Sequence, residues 1–129
     1  MPSSKNKKIA FIEDDKFLNL AYKYGLEKEG YGVLVIQKTT PGFMEAIVQF
    51  KPDLIILDLI IQPVNGFAIL EDLKKNSDFK KTPVIVFSNL QQESDIKKCL
   101  DLGAGDYLIK TSIDRKEFIE KIKNHLINR

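Results

Sequence analysis

The chain has 129 residues, 43% hydrophobic and 29% charged, with a formal net charge of +2. That length suits one domain able to bury a sizeable core, and the balanced charge, Lys and Arg mixed among Asp and Glu, offers no basic stripe for direct nucleic-acid binding. One cysteine (Cys99), no apolar run long enough to span a membrane and a start, MPSSKNKK, that is no secretory signal exclude a disulfide framework, a transmembrane helix and a signal peptide, so the protein reads as cytoplasmic.

Residues 1–7 read as a flexible tail, and the first apolar run, IAFI (9–12), as a strand. The segment after it carries Leu18, Ala21, Tyr22, Gly25 and Leu26 at helical spacing, with Asp15 as its N-cap and Gly30 as its stop. VLVI (33–36) follows, then a helix predicted to start at a Thr40 cap with Pro41 in its first turn. LIIL (54–57) precedes a helix with Ile69, Leu70 and Leu73 on its apolar face. VIVF (84–87) precedes one with Ile96, Cys99 and Leu100, and Cys99 reads there as a core residue. YLI (107–109) leads to a last helix with Asp114 and Glu117 at capping-box spacing and a stripe of Ile119, Ile122 and Leu126.

The five runs are nearly continuous rather than alternating, as strands read when both faces of a parallel sheet are covered. A strand followed by a helix, five times over, predicts one doubly wound α/β domain over 8–129, with right-handed crossovers. Ligands of such sheets bind beyond the carboxyl ends of the strands. Run one is followed there by Glu13, Asp14 and Asp15, run three by Asp58, run four by Ser88 and run five by Lys110. Three carboxylates brought together repel, and one takes up a proton unless a cation neutralises them. Carboxylate oxygens suit Mg²⁺, an Asp can attack phosphorus to form an acyl phosphate, and an ammonium and a hydroxyl suit phosphoryl oxygens.

The series FIEDD, IILDL…NG, VIVFSN and DYLIK resembles the receiver domain of two-component response regulators, over essentially the whole chain. The resemblance implies a flavodoxin-like fold with strand order 2-1-3-4-5. It implies Asp58 as phospho-acceptor, Glu13 and Asp14 as the acidic pair, Asp14 as direct Mg²⁺ ligand and the Ile60 carbonyl as backbone ligand. Ser88 matches the switch hydroxyl, Lys110 the phosphate-binding lysine and Tyr107 the aromatic switch. The implied partners are a sensor histidine kinase or phosphotransfer protein, and downstream a protein target or a second copy. The domain would catalyse only its own phosphorylation and dephosphorylation. The face of the fourth helix, fifth strand and fifth helix would change shape on phosphorylation; it carries Lys97, Lys98, Lys110, Arg115 and Lys116 with Asp95 and Asp114.

Three positions depart from the family pattern. Gln62 stands where a proline is usual, with Pro63 after it, and Asn89 replaces the small residue after the switch hydroxyl. Thr111 replaces the proline that usually follows the lysine in a cis peptide. A cis bond before a non-proline costs about 2.5–4 kcal/mol, so the loop after Lys110 is expected to take another course. Ile60 and Leu90, two positions beyond Asp58 and Ser88, cannot orient an attacking water, which predicts a long-lived phosphorylated state. The alternative reading is a receiver-like protein-interaction module independent of phosphate. A haloacid-dehalogenase-type phosphatase needs a second Asp two residues after the nucleophile, where this chain has Ile60. The sequence leaves open whether the receiver stands alone or belongs to a longer protein.

Overall fold

The computed structural model describes residues 6–127. Five strands alternate with five helices: β1 (Lys8–Ile12), α1 (Lys16–Lys28), β2 (Gly32–Ile36), α2 (Phe43–Phe50), β3 (Leu54–Leu57), α3 (Gly66–Lys75), β4 (Val84–Ser88), α4 (Glu93–Asp101), β5 (Asp106–Ile109) and α5 (Arg115–Ile127). The strands form one parallel sheet in the order β2-β1-β3-β4-β5. Each predicted run is a strand, and the sheet order is the flavodoxin-like one. No helix among the described residues is long and apolar enough to cross a membrane.

The near-continuous runs are explained by two cores. Successive strand residues point to opposite faces, so Ala10 and Ile12 pack beneath α2, α3 and α4 with Ile55, Leu57, Val84, Val86, Ile47, Leu70 and Cys99. Ile9 and Phe11 face the other way, with Leu54, Ile56, Ile85, Phe87, Leu26, Phe118 and Ile122. This second layer holds an aromatic cluster: Phe118 lies 4.6 Å from Phe87 and 4.8 Å from Tyr22, ring centre to ring centre. Burying a side chain of this size stabilises by roughly 1.5–3 kcal/mol.

Local chemistry sets the helix ends. Asp15 Oδ1 accepts from the Phe17 and Leu18 amides at 3.0 and 3.1 Å, as its N-cap role requires. Asn65 Oδ1 caps α3 through the Ala68 amide, and Asp114 Oδ1 accepts from the Glu117 amide. The Thr40 cap is not formed. α2 begins later, at Phe43, behind Gly42 in the left-handed region (φ 97°), and no side chain caps it. The Thr40 carbonyl instead accepts the Phe43 amide in the preceding turn. Leu100 also departs from its predicted burial: Cys99 is buried, whereas Leu100 is 47% exposed, on the outer side of α4.

Of the predicted tail, residues 1–5 lie outside those described. The Asn6 amide donates to the Gly30 carbonyl and the Lys7 carbonyl accepts from Gly32. After Lys110 the chain enters a short 3-10 turn, Lys110–Ser112. The cis peptide among the described residues is Gln62–Pro63, so the Lys110–Thr111 bond is trans.

Candidate phosphoryl-acceptor site

At the carboxyl end of the sheet the backbone brings three loops together. The Glu13 amide donates to the Ile36 carbonyl and the Asp58 amide to the Ile12 carbonyl, which extends the ladder one residue past β1 and β3. Asp58 is thereby held beside the β1 end, almost wholly buried. The Gly66 amide returns to the Leu59 carbonyl, so the loop after Asp58 closes on itself. A methyl group on Gly66 would collide with Leu59 Cα and the Asp58 carbonyl, and only glycine permits that approach.

Asp58 uses both carboxylate oxygens. Oδ1 accepts from the Ile60 amide at 3.1 Å, and Oδ2 accepts from Lys110 Nζ at 2.9 Å. Lys110 also approaches Glu13 Oε1 at 2.7 Å. This is a close charge contact with poor hydrogen-bond direction, and it leaves Oε1 buried without a well-directed donor. Glu13 Oε2 accepts from the Asp15 amide at 3.2 Å. Burial, the neighbouring Asp58 charge adding to it, raises the Glu13 pKa from 4.5 to about 7 against the pull of Lys110. Burial works against the Lys110 ammonium, but the two carboxylates outweigh it and its pKa is raised.

Asp14 is exposed at the pocket mouth. One carboxylate oxygen from each of Glu13, Asp14 and Asp58 lies within 4.8 Å of the others. Two of the three are buried, one oxygen lacks a directed donor, and the set is all carboxylate, which fits a small hard cation such as Mg²⁺. Ile60 is 53% exposed beside this group.

Ser88 ends β4, fully buried, and its Oγ accepts from the Leu90 amide at 3.4 Å. The Leu90 carbonyl in turn accepts from the Tyr107 hydroxyl at 2.6 Å. Burial lifts the Tyr107 pKa to about 12. Two supporting residues were not singled out from the sequence. Asn19 Nδ2 donates to the Glu13 carbonyl at 2.7 Å, bracing the acidic turn from α1. Thr39 Oγ1 accepts from the Val64 amide at 2.7 Å and lies 3.0 Å from the Val64 carbonyl, tying the β2 end to the loop after Asp58. Asn19 offered one signal: a polar residue on the helix face that otherwise reads as apolar.

The buried carboxylate, the acidic pair and the lysine that bridges them form one site at the carboxyl end of the sheet of an α/β protein of the flavodoxin-like kind. The profile of the response regulator receiver domain matches residues 9–123. The KDP operon transcriptional regulatory protein KdpE of Escherichia coli is 36% identical over 102 residues, 79% of this chain and 44% of that protein. The DNA-binding dual master transcriptional regulator RpaA of Synechocystis is 32% identical over 118 residues, 90% of this chain and 47% of its own. Among solved structures, the BeF3-activated N-terminal receiver domain of Klebsiella pneumoniae RstA superposes with a TM-score of 0.83 at 27% identity, covering 93% of this chain and 98% of that one. The chain belongs to the response regulator receiver domain family, whose function is phosphorylation on an aspartate. It spans about half the length of the curated relatives it matches.

Proposed function

We propose that Asp58 is the phospho-acceptor of a single cytoplasmic receiver domain over 8–129, and that it takes its phosphoryl group from a phosphohistidine on a sensor kinase or phosphotransfer protein. The observation that carries this reading is the Lys110 ammonium bound to both Asp58 and Glu13 at the carboxyl end of the sheet. In the transfer an Asp58 carboxylate oxygen bonds to phosphorus, the phosphorus–nitrogen bond breaks, and the imidazole leaves with its electron pair. Lys110 then turns from the Asp58 carboxylate to the phosphoryl oxygens, where an ammonium is worth most as negative charge spreads. Glu13, Asp14, Asp58 and the Ile60 carbonyl would hold Mg²⁺, which when bound supplies positive charge to the phosphoryl oxygens. The domain catalyses its own phosphorylation and dephosphorylation, and no other turnover.

Ser88 and Tyr107 supply the switch in this reading. The Ser88 hydroxyl donates to a phosphoryl oxygen and releases the Leu90 amide. The β4–α4 loop then shifts, the Tyr107 hydroxyl loses the Leu90 carbonyl, and the ring turns into the vacated space. The altered surface is that of α4, β5 and α5, whose mixed charges suit a protein target or a second copy. Incubation with acetyl phosphate and Mg²⁺, followed by intact mass, tests the reading. One added phosphoryl group, abolished by a chelator, supports it. An unchanged mass in a protein that also binds no Mg²⁺ contradicts it and favours the phosphate-independent interaction module.

A further inference from the structure

At the opposite end of the sheet from Asp58 lies a second concavity. It is a cavity of about 410 Å³ at the starts of β4 and β5, between the loop after α3 and the last turns of α5. Four lysines line it, Lys74, Lys80, Lys81 and Lys121, together with His125, and its one carboxylate is Asp106. On a chain with 20 basic and 18 acidic residues, four ammonium groups facing one carboxylate is a local concentration of charge.

The groups divide into structural and available ones. Lys74 Nζ donates to the Phe79 carbonyl at 3.3 Å and to the Thr82 carbonyl at 3.0 Å, so it pins the loop that forms one wall. Asp106 is engaged on both oxygens: Oδ1 accepts from the Tyr107 amide at 2.8 Å and Oδ2 lies 3.0 Å from His125 Nε2. The single acid is therefore committed to holding α5 against β5. Lys80, on the loop after α3, and Lys121, on α5, line the cavity and are exposed. Lysines in a helix's last turn complement its dipole, which accounts for Lys74 but not for Lys80 on the connecting loop. A cleft lined by one sign of charge concentrates counter-ions of the other, and its volume lies in the range that takes small ligands.

We propose that this cavity binds the phosphate chain of a di- or triphosphate, free or carried by a nucleotide, independently of the acceptor site. A chain of phosphoryl groups spreads its charge over several ångströms, which suits ammonium groups contributed by two separate elements, the loop after α3 and α5.

The test is calorimetric titration of the whole chain with inorganic triphosphate and, in parallel, with ATP. Lys80→Glu/Lys121→Glu is compared with Lys28→Glu/Lys116→Glu, which makes the same change in net charge at exposed positions outside the cavity; thermal melts confirm that both fold. The expected result is saturable one-to-one binding, weakened about tenfold or more by the cavity pair and less than about threefold by the control pair. Asp58→Asn binds as wild type does, since it lies at the other end of the sheet. Tighter binding of ATP than of triphosphate makes a nucleotide the source, and equal affinity makes it the phosphate chain alone. Unsaturable binding, or equal losses in the two lysine pairs, overturns the proposal.

Discussion

Lys110 Nζ lies 2.9 Å from Asp58 Oδ2, although the two residues are 52 positions apart in the chain and follow strands, β5 and β3, that are not neighbours in the sheet. β4 runs between them and ends in the small Ser88, which leaves room for the lysine to reach across. The same ammonium meets Glu13 from β1's end, so one cation ties three strand ends together.

Removing that cation leaves two buried carboxylates facing each other. Lys110→Ala is expected to destabilise the metal-free protein by about 3 kcal/mol, since breaking a buried pair strands its partner. Urea denaturation measures it, and Mg²⁺ is expected to restore part of the loss in the variant. A loss under about 1 kcal/mol without metal contradicts this role.

Glu13 carries a pH signature. Its pKa is raised to about 7 in the folded protein from an ordinary 4.5, so the folded state holds the proton more tightly than the unfolded one. Its contribution to stability is therefore fully present below about pH 4.5 and is lost as pH rises through 7. Metal-free thermal melts between pH 5 and 8 are expected to show this decline, of the order of 1–3 kcal/mol, and Glu13→Gln to flatten it. Mg²⁺ must displace that proton, so it is expected to bind more tightly at pH 8 than at pH 6.

Tyr107 is half-buried, and its hydroxyl is tied to the Leu90 carbonyl. Tyr107→Phe removes one hydrogen bond worth roughly 1 kcal/mol and frees the ring to turn. Ring-proton NMR of the unphosphorylated variant is expected to show a mixture of ring positions where wild type shows one. A single unchanged position in both proteins would mean that packing, not this bond, sets the ring.

Ile60 stands beside the pocket, and Leu90 follows the Ser88 turn. Neither side chain can hold a water for attack on an acyl phosphate. Ile60→Asn and Leu90→Glu are expected to change the dephosphorylation rate, read as decay of the phosphorylated mass after donor removal. Identical decay in both variants and wild type removes these residues from the account.

Gly66→Ala tests the acceptor loop. The added Cβ meets backbone, Leu59 Cα and the Asp58 carbonyl, which cannot swing aside as a side chain would. A stability loss of about 2–3 kcal/mol is expected, with slower phosphorylation. At Gly25 the obstacle is instead the end of the Ile119 side chain, and Gly25→Ala is expected to cost less.

Much of this was legible in the chain because parallel strands covered on both faces leave unbroken apolar runs, and the residue after each run falls on one rim. Glu13, Asp58 and Lys110 were found that way, and the structure brings them into contact. The misreadings have local causes. Thr40 carries a capping residue's chemistry, but Gly42 turns left-handed and the helix starts after it. Leu100 has the spacing of a buried residue, yet α4 packs mainly through Cys99 while its other side stays open. Thr39 left no trace, because its partner, Val64, lies 25 residues away and is reached through backbone atoms that every residue type carries. The Asp106–His125 pair was illegible for a similar reason: only the packing of α5 on β5 brings the two together.

The most direct measurement is the location of the phosphoryl group. Protein incubated with acetyl phosphate and Mg²⁺ is reduced with borohydride, which converts an aspartyl phosphate to homoserine, and then digested and mapped by mass spectrometry. Conversion is expected at position 58, in wild type and in Ser88→Ala, and none in Asp58→Asn. Conversion at another carboxylate, or none in a wild-type protein that binds Mg²⁺, would contradict the assignment of Asp58 as the acceptor.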